Sequence, residues 1–388
     1  MRPRLIAIAY VLAGVYLLAL RVFVAGMSPD VASLEETTFS RQANTVLHGN
    51  TPLFFHSTPG RSLDSDTWLQ PLGVYANALV QMSGPRPHPG QLASAFPAAA
   101  NVLLVFVIAY AIAGTAWASV AAALTLMFTP GQLAVIRAGS DAIYPATLVL
   151  LWLLGLLTFL KRDSVRALCG AAIALGLCVY SHPTGPLTAV FLWMFTLAVT
   201  WRRNRVSLFQ ATIGFAIMWL PAAAWFYVHP NTYPDTFGRW FIFAAHIRNP
   251  LDGLKAFFNP NTLGVRASQY WGFWDPSWLF FKDGGLSAPL LWLAAPFLLF
   301  AIFRARQISR DAMTIVIGAA LIVPLAGATF GVPHYINDAA AVLPLLAILS
   351  GLGLDQLVAL LTRRQPLQDD VAVTAVDGWD SNDVSPRT

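Results

Sequence analysis

Apolar runs of membrane-spanning length recur along this chain from residue 5 to residue 361, and no other feature restricts the fold as strongly. A spanning helix needs about 20 mostly apolar residues. In lipid the backbone must satisfy its own hydrogen bonds, which leaves helices and closed barrels as the spanning structures. Ten spans fit the runs: 5–26, 96–116, 117–136, 141–160, 167–182, 185–201, 208–228, 287–303, 311–330 and 336–361. Charged residues make up only 11% of the 388, against about 25% in soluble proteins. The expected fold class is therefore an all-α polytopic membrane protein. A secreted disulfide scaffold, a disordered chain and a nucleic-acid-binding domain are excluded.

The few charges have a direction. Lys161, Arg162 and Arg166, then Arg202, Arg203 and Arg205, then Arg304, Arg306 and Arg310 mark alternate connections. With Arg2, Arg4, Arg363, Arg364 and Arg387 they put 14 of the 24 basic residues on one side. The positive-inside rule makes that side cytoplasmic, with both termini on it. Two long loops, 27–95 and 229–286, then face outward. Asp30, Glu35, Glu36, Asp64, Asp66, Asp141, Asp235, Asp252, Asp275, Asp283 and Asp338 fall on the outer side, as do all seven histidines (His48, His56, His88, His182, His229, His246 and His334). Groups able to move protons thus gather on one face of the membrane. No acidic residue lies at the middle of an expected span, which argues against an intramembrane proton relay.

Leu5–Ala25 follows Arg2 and Arg4 but exceeds the 7–15-residue core of a signal peptide, so it reads as an uncleaved first helix. Cys169 and Cys178 are nine residues apart in one apolar segment, about 13–14 Å along a helix, too far for a disulfide. The chain divides into a single transmembrane domain, 1–364, and an acidic tail, 365–388, expected to be a disordered cytoplasmic end.

In the first outer loop Leu34, Phe39, Ala43, Val46 and Leu47 recur at helical spacing. They predict an amphipathic helix over 34–47 at the membrane surface, stopped by Gly49. Glu35 and Glu36 occupy its first turn, where carboxylates complement the helix dipole. They are equally suited to be a general base just outside the lipid.

The acidic pair Glu35-Glu36 followed by Ala43, Leu47, Gly49 and Pro52 resembles the first outer loop of the GT-C membrane glycosyltransferases. Within these it resembles the dolichyl-phosphate-mannose protein mannosyltransferase and lipid A aminoarabinose transferase group, glycosyltransferase family 39-like. WLQPLGVYANALVQMSG (68–84) is similar to the family's loop helix, and SAFPAAANVLLVFVIAYAIAG (94–114) to the start of its second span. IRAGSDAIYPATLVLLWLLGLLTFLKR carries Arg137 and Asp141 where the family has an Arg and a second-loop Asp. GAAIALGLCVYSHPTGPL, ending at His182, and VPHYINDAAAVLPLLAILSGLGL resemble its fifth and closing spans. Two departures stand out. The first acid is Glu35 where such enzymes usually carry Asp, and His334 and Tyr335 stand where many relatives place an Arg.

The resemblance implies a GT-C-like fold of about ten transmembrane helices with interfacial helices in the two outer loops. It also implies transfer of a sugar from a polyprenyl-phosphate donor to a hydroxyl of a lipid, glycan or protein in a bacterial inner membrane. Glu35 or Glu36 would be the base, and Asp141 would support the acceptor or a divalent metal. Arg137, His182, His334, Tyr335 and Gln70 would contact substrate. Such a donor is already activated, so no nucleotide-binding loop is required. Asp64 and Asp66 match an Asp-x-Asp site only superficially, because that run faces outward. Trp240, Trp271, Trp274 and Trp278 suit an interfacial belt or a lipid groove. The competing readings are a transporter or lipid-carrier flippase and an inactive relative that binds a polyprenyl lipid. A transporter would show internal repeats, and none is evident. The absence of an N-x-Ser/Thr acceptor sequence fits the bacterial setting.

Overall fold

The structure, a computed structural model, describes residues 3–25, 34–49, 56–58, 67–84, 88–228, 259–282, 288–329 and 336–362. The acidic tail, His334 and Tyr335 lie outside them, as do Asp64, Asp66 and Trp240. Helix α1 is Pro3–Ala25 and α2 is Leu34–Leu47. Two three-residue strands, β1 (His56–Thr58) and β2 (Thr67–Leu69), pair antiparallel with Ser57 opposite Trp68. Then come α3 (Pro71–Met82), α4 (Pro89–Ala113), α5 (Ala116–Met127), α6 (Pro130–Arg137) and α7 (Ile143–Arg162). They are followed by α8 (Val165–Leu177), α9 (Gly185–Thr200), α10 (Arg205–Ile217) and α11 (Leu220–Val228). The second outer loop contributes α12 (Pro260–Gly272) and α13 (Pro276–Phe281), and α14 (Ala295–Phe303), α15 (Arg310–Thr329) and α16 (Leu343–Thr362) complete the chain.

The surface helix expected over 34–47 forms with those bounds, and Gly49 follows it with φ +83°, a conformation in which glycine carries no Cβ penalty. Among the described residues six helical stretches are long and apolar enough to cross a membrane, one of them α10 and α11 together (Arg205–Val228), and α5 with α6 makes a seventh. Shorter apolar helices at Val165–Tyr180, Gly185–Thr200 and Trp292–Phe303 occupy the positions of three further expected spans. Several boundaries shift by a few residues, and two departures from the expectation are larger. The second span begins at Pro89 rather than 96, because proline at the first helical position needs no hydrogen-bond acceptor. The third is not one straight helix: it bends by 47° between α5 and α6, where Pro130 removes a backbone donor. The strand pair β1–β2 has no counterpart in the apolar pattern.

The turns between spans are closed by local chemistry. Thr115 accepts from the Ala118 N–H at the start of α5 (3.4 Å) and donates to Asp355 of α16 (2.7 Å). Asp163 ends α7 with φ +50°, and Ser164 caps α8. Trp152, among the largest fully buried side chains, donates its indole N–H to Thr196 of α9 (2.9 Å). Helix α16 approaches its neighbours backbone to backbone. A Cβ on Gly351 would lie 2.5 Å from the Ala118 carbonyl oxygen, and one on Gly353 would collide with the Phe297 carbonyl. Small residues allow such close contact in lipid, where packing rather than water expulsion drives association. We expect Gly353→Leu to lower the thermal unfolding temperature of the purified protein or abolish its folded yield, since overpacking costs about 1–3 kcal/mol or more. Gly214→Leu should leave both near wild type, because only Ile173 comes within 4 Å of its added Cβ, at 3.8 Å.

Candidate active site

Helix α2 lies across the start of α4, and the contact is polar. Glu36 is 1% exposed and His88 is fully buried. One Glu36 carboxylate oxygen accepts from the Gln91 backbone N–H (3.4 Å), and the other accepts from the Gln91 side-chain amide (3.3 Å). His88 Nδ1 is 3.4 Å from that second oxygen. Gln91 is the third residue of α4, so its N–H is one of the donors a helix start leaves without an internal acceptor. The carboxylate thus meets both a hydrogen-bond donor and the positive end of the helix dipole.

Two glycines make room for it. A Cβ on Gly90 would lie 2.9 Å from Glu36 Cγ, and one on Gly139 would lie 3.2 Å from Glu36 Cβ. Gly139 also has φ +61°, where an L-residue is strained. Two residues on, Asp141 is 8% exposed at the mouth of α7. Successive Cα atoms are about 3.8 Å apart, so the contact at Gly139 puts the Cβ atoms of Glu36 and Asp141 within about 14 Å of each other. Helix α3 bridges them: a Cβ on Gly73 would lie 2.7 Å from the Phe39 ring, one turn beyond Glu36, and 3.1 Å from Asp141 Cβ. Gln81 of α3 also donates to the Ser40 carbonyl of α2 (3.1 Å).

His182 faces Asp141 from the turn before α9, with Nε2 at 3.7 Å from Oδ1. The Thr184 N–H donates to His182 Nδ1 (3.2 Å), and the Thr184 hydroxyl lies 2.8 Å from the same nitrogen. Nδ1 is therefore the acceptor, and the ring proton of neutral His182 sits on Nε2, towards Asp141. Burial pushes the imidazole down to about 3. Ser140 Oγ accepts from the Ala142 N–H (3.3 Å) in the turn that leads into α7.

The structure thus brings Glu36, Asp141 and His182 to one end of the bundle. That end is about 30 Å along α7 from Lys161 and Arg162 in its last turn. Gln70 is buried just ahead of α3. Arg137 ends α6 with its side chain exposed, and among the described residues it joins none of the ion pairs. Glu35 is in the first turn of α2, with its side chain outside the described residues. No sequence pattern announces the pairing of His88 with Glu36; its one local signal is the Pro-Gly-Gln that opens α4 directly after it. Arg266 of α12 is also buried, and burial pulls its guanidinium below the usual range. Among the described residues no three His, Cys, Asp or Glu side chains gather as a metal site would require.

The arrangement of spans around this site has solved counterparts. ArnT from Cupriavidus metallidurans bound to undecaprenyl phosphate superposes with a TM-score of 0.56 over 91% of this chain at 17% identity. Archaeal oligosaccharyltransferase AglB from Archaeoglobus fulgidus, in complex with an inhibitory peptide and a dolichol-phosphate, superposes at 0.59 over 97% at 16% identity. This is the GT-C fold. The chain spans 59% of the length of that ArnT and 52% of that AglB. No family model matches the sequence, and no curated protein matches it.

The buried neutral His182 has a measurable consequence. An unfolded histidine binds its proton near 6.5, whereas His182 in the fold stays neutral down to about 3. The unfolded state therefore holds the extra proton between these values. The stabilisation is complete above pH 6.5 and drains away as pH falls towards 3. Thermal unfolding followed from pH 7 to pH 4 should show a falling midpoint, and His182→Gln should flatten that fall.

Proposed function

We propose that the protein is a glycosyltransferase that moves a sugar from a polyprenyl-phosphate donor to an acceptor hydroxyl on the extracytoplasmic face. The observation carrying this reading is the pair of buried carboxylates, Glu36 and Asp141, gathered at the basic-poor end of a GT-C bundle. The solved proteins of that fold bind undecaprenyl phosphate in one case and dolichol-phosphate in the other.

In the reaction the acceptor oxygen bonds to the anomeric carbon while the bond from that carbon to the donor phosphate oxygen breaks. The acceptor proton passes to a carboxylate, and the lipid phosphate leaves as an anion. Glu35 is our candidate for the base. Its neighbour Glu36 has both oxygens engaged by Gln91, an arrangement suited to fixing the first turn of α2. Asp141 is placed to orient the acceptor, with His182 Nε2–H facing it. Arg137, Gln70, His182, His334 and Tyr335 are our candidates for donor and acceptor contacts, cationic or hydrogen-bonding groups being what a departing phosphate requires. Both termini are proposed to be cytoplasmic, in a bacterial inner membrane.

The test is transfer by purified protein from a polyprenyl-phosphate sugar, with a panel of sugars and with lipid, glycan and protein acceptors. We expect turnover in wild type, and a loss of about 10²–10⁴-fold in Glu35→Gln, the usual contribution of general acid–base catalysis. Asp141→Asn should lose activity with its unfolding temperature retained. Full activity in the Glu35→Gln, Glu36→Gln double variant would remove the base assignment. Donor binding without turnover by any acceptor would favour an inactive lipid-binding relative.

A further inference from the structure

A groove of about 680 Å³ lies apart from the carboxylates, between α1, α3 and α4. Its volume falls in the range of ligand-binding pockets. Helix α1 contributes Gly14, Leu17 and Arg21, α3 contributes Ala76 and Val80, and α4 contributes Phe96. The lining is hydrocarbon apart from Arg21, Ser83 and Tyr144, and the Tyr144 hydroxyl donates to the Ala93 carbonyl at the groove floor (3.3 Å). Both α1 and α4 are long and apolar enough to cross a membrane, so the groove lies at lipid depth.

Its charge is placed at one end. Arg21 stands four residues before the last residue of α1, about 6 Å from the helix end and so close to headgroup level. Gly14 lies about 10 Å deeper, two helical turns away, where only a hydrocarbon tail belongs. A Cβ added to Gly14 would meet nothing within 4 Å, so this stretch of the wall is open space. Arg21 is exposed and, among the described residues, joins none of the ion pairs. A cation above an apolar slot of this depth matches a phosphate on a chain-bearing lipid.

The groove and the carboxylates use different faces of α3, and they come nearest at Tyr144, one turn after Asp141 at the start of α7. Helix α3 turns Ala76, Leu79, Val80 and Ser83 to the groove, whereas its Gly73 meets Phe39 and Asp141 and its Asn77 lies beside Gly90. None of Glu36, His88, Asp141 or His182 lines it. We infer that the groove binds one hydrocarbon chain of an anionic glycerophospholipid, with the lipid phosphate at Arg21, as a resident lipid distinct from donor and acceptor. Such a lipid packs against the face of α3 that flanks the one touching Asp141, and so holds that helix in place.

The experiment uses the delipidated full chain in detergent, incubated with phosphatidylglycerol or with phosphatidylcholine and read by native mass spectrometry. One phosphatidylglycerol should be retained per chain, at least about fivefold over phosphatidylcholine, the discrimination that about 1 kcal/mol per basic residue provides. Gly14→Phe, whose added Cβ enters open space and whose ring takes up groove volume, and Arg21→Gln should each cut retention by a similar factor. Val15→Phe, exposed on the same helix and outside the groove, should retain the lipid as wild type does. Equal retention of the two lipids would overturn the inference, as would wild-type retention in both Gly14→Phe and Arg21→Gln. Displacement of phosphatidylglycerol by polyprenyl phosphate, lost in Gly14→Phe, would also overturn it by making the groove a donor site. None of these readouts depends on sugar transfer.

Discussion

The Glu36 carboxylate against the first turn of α4 is the interaction around which the outer end of this protein is built. Helix α2 packs on α3 through an apolar cluster of Phe39, Val46 and Val74, whereas its hold on α4 is polar. The contact with Gln91 and His88 anchors it, and the bare backbones of Gly90 and Gly139 let the carboxylate approach. The same approach brings Gly139 to α2, and with it Asp141 two residues later. A buried charge without such partners would cost several kcal/mol. The pairing of α2 with α4 therefore decides where α3 and the mouth of α7 can sit.

From this follows a division of labour within the bundle. Towards the basic end the interhelical contacts are apolar or backbone to backbone, as between α16 and its neighbours, with single polar ties such as Thr115 to Asp355. Towards the other end polar side chains are buried in number: Gln42, Gln70, Asn77, His88, Gln91, Asp141 and His182 all lie there. In a membrane protein such groups are expensive and mark function. Here they sit at the ends of helices, beside α2 and α3, rather than at mid-span.

Much of the frame was legible in the sequence because its signals are local. Apolar runs, helical spacing in 34–47 and a stop at Gly49 each depend on residues close in the chain; the structure has the 34–47 helix and Gly49 as expected, and helices in the apolar runs, six of them span-length stretches among the described residues. Resemblance alone singles out Asp141 and His182 in the sequence, and their 3.7 Å separation is a tertiary fact that no local pattern carries. The bend at Pro130 was masked by an apolar run continuous in composition across it. His88 was missed because a lone histidine before a helix carries no pattern of its own. Its role exists only once α2 folds back over α4, 52 positions away in the chain from Glu36.

By itself, then, the sequence determined that this is a bundle of apolar helices of membrane-spanning length, and that its carboxylates and histidines stand apart from the Lys and Arg clusters along the chain. Those properties follow from hydrophobic length and charge distribution, which tertiary contacts do not alter. Only the tertiary structure decided which acid is buried, which histidine meets which carboxylate, and which ring nitrogen carries the proton. Those outcomes depend on close approaches between distant segments, at Gly90, Gly139 and the turn at Thr184, where a single Cβ or one backbone N–H settles what can meet.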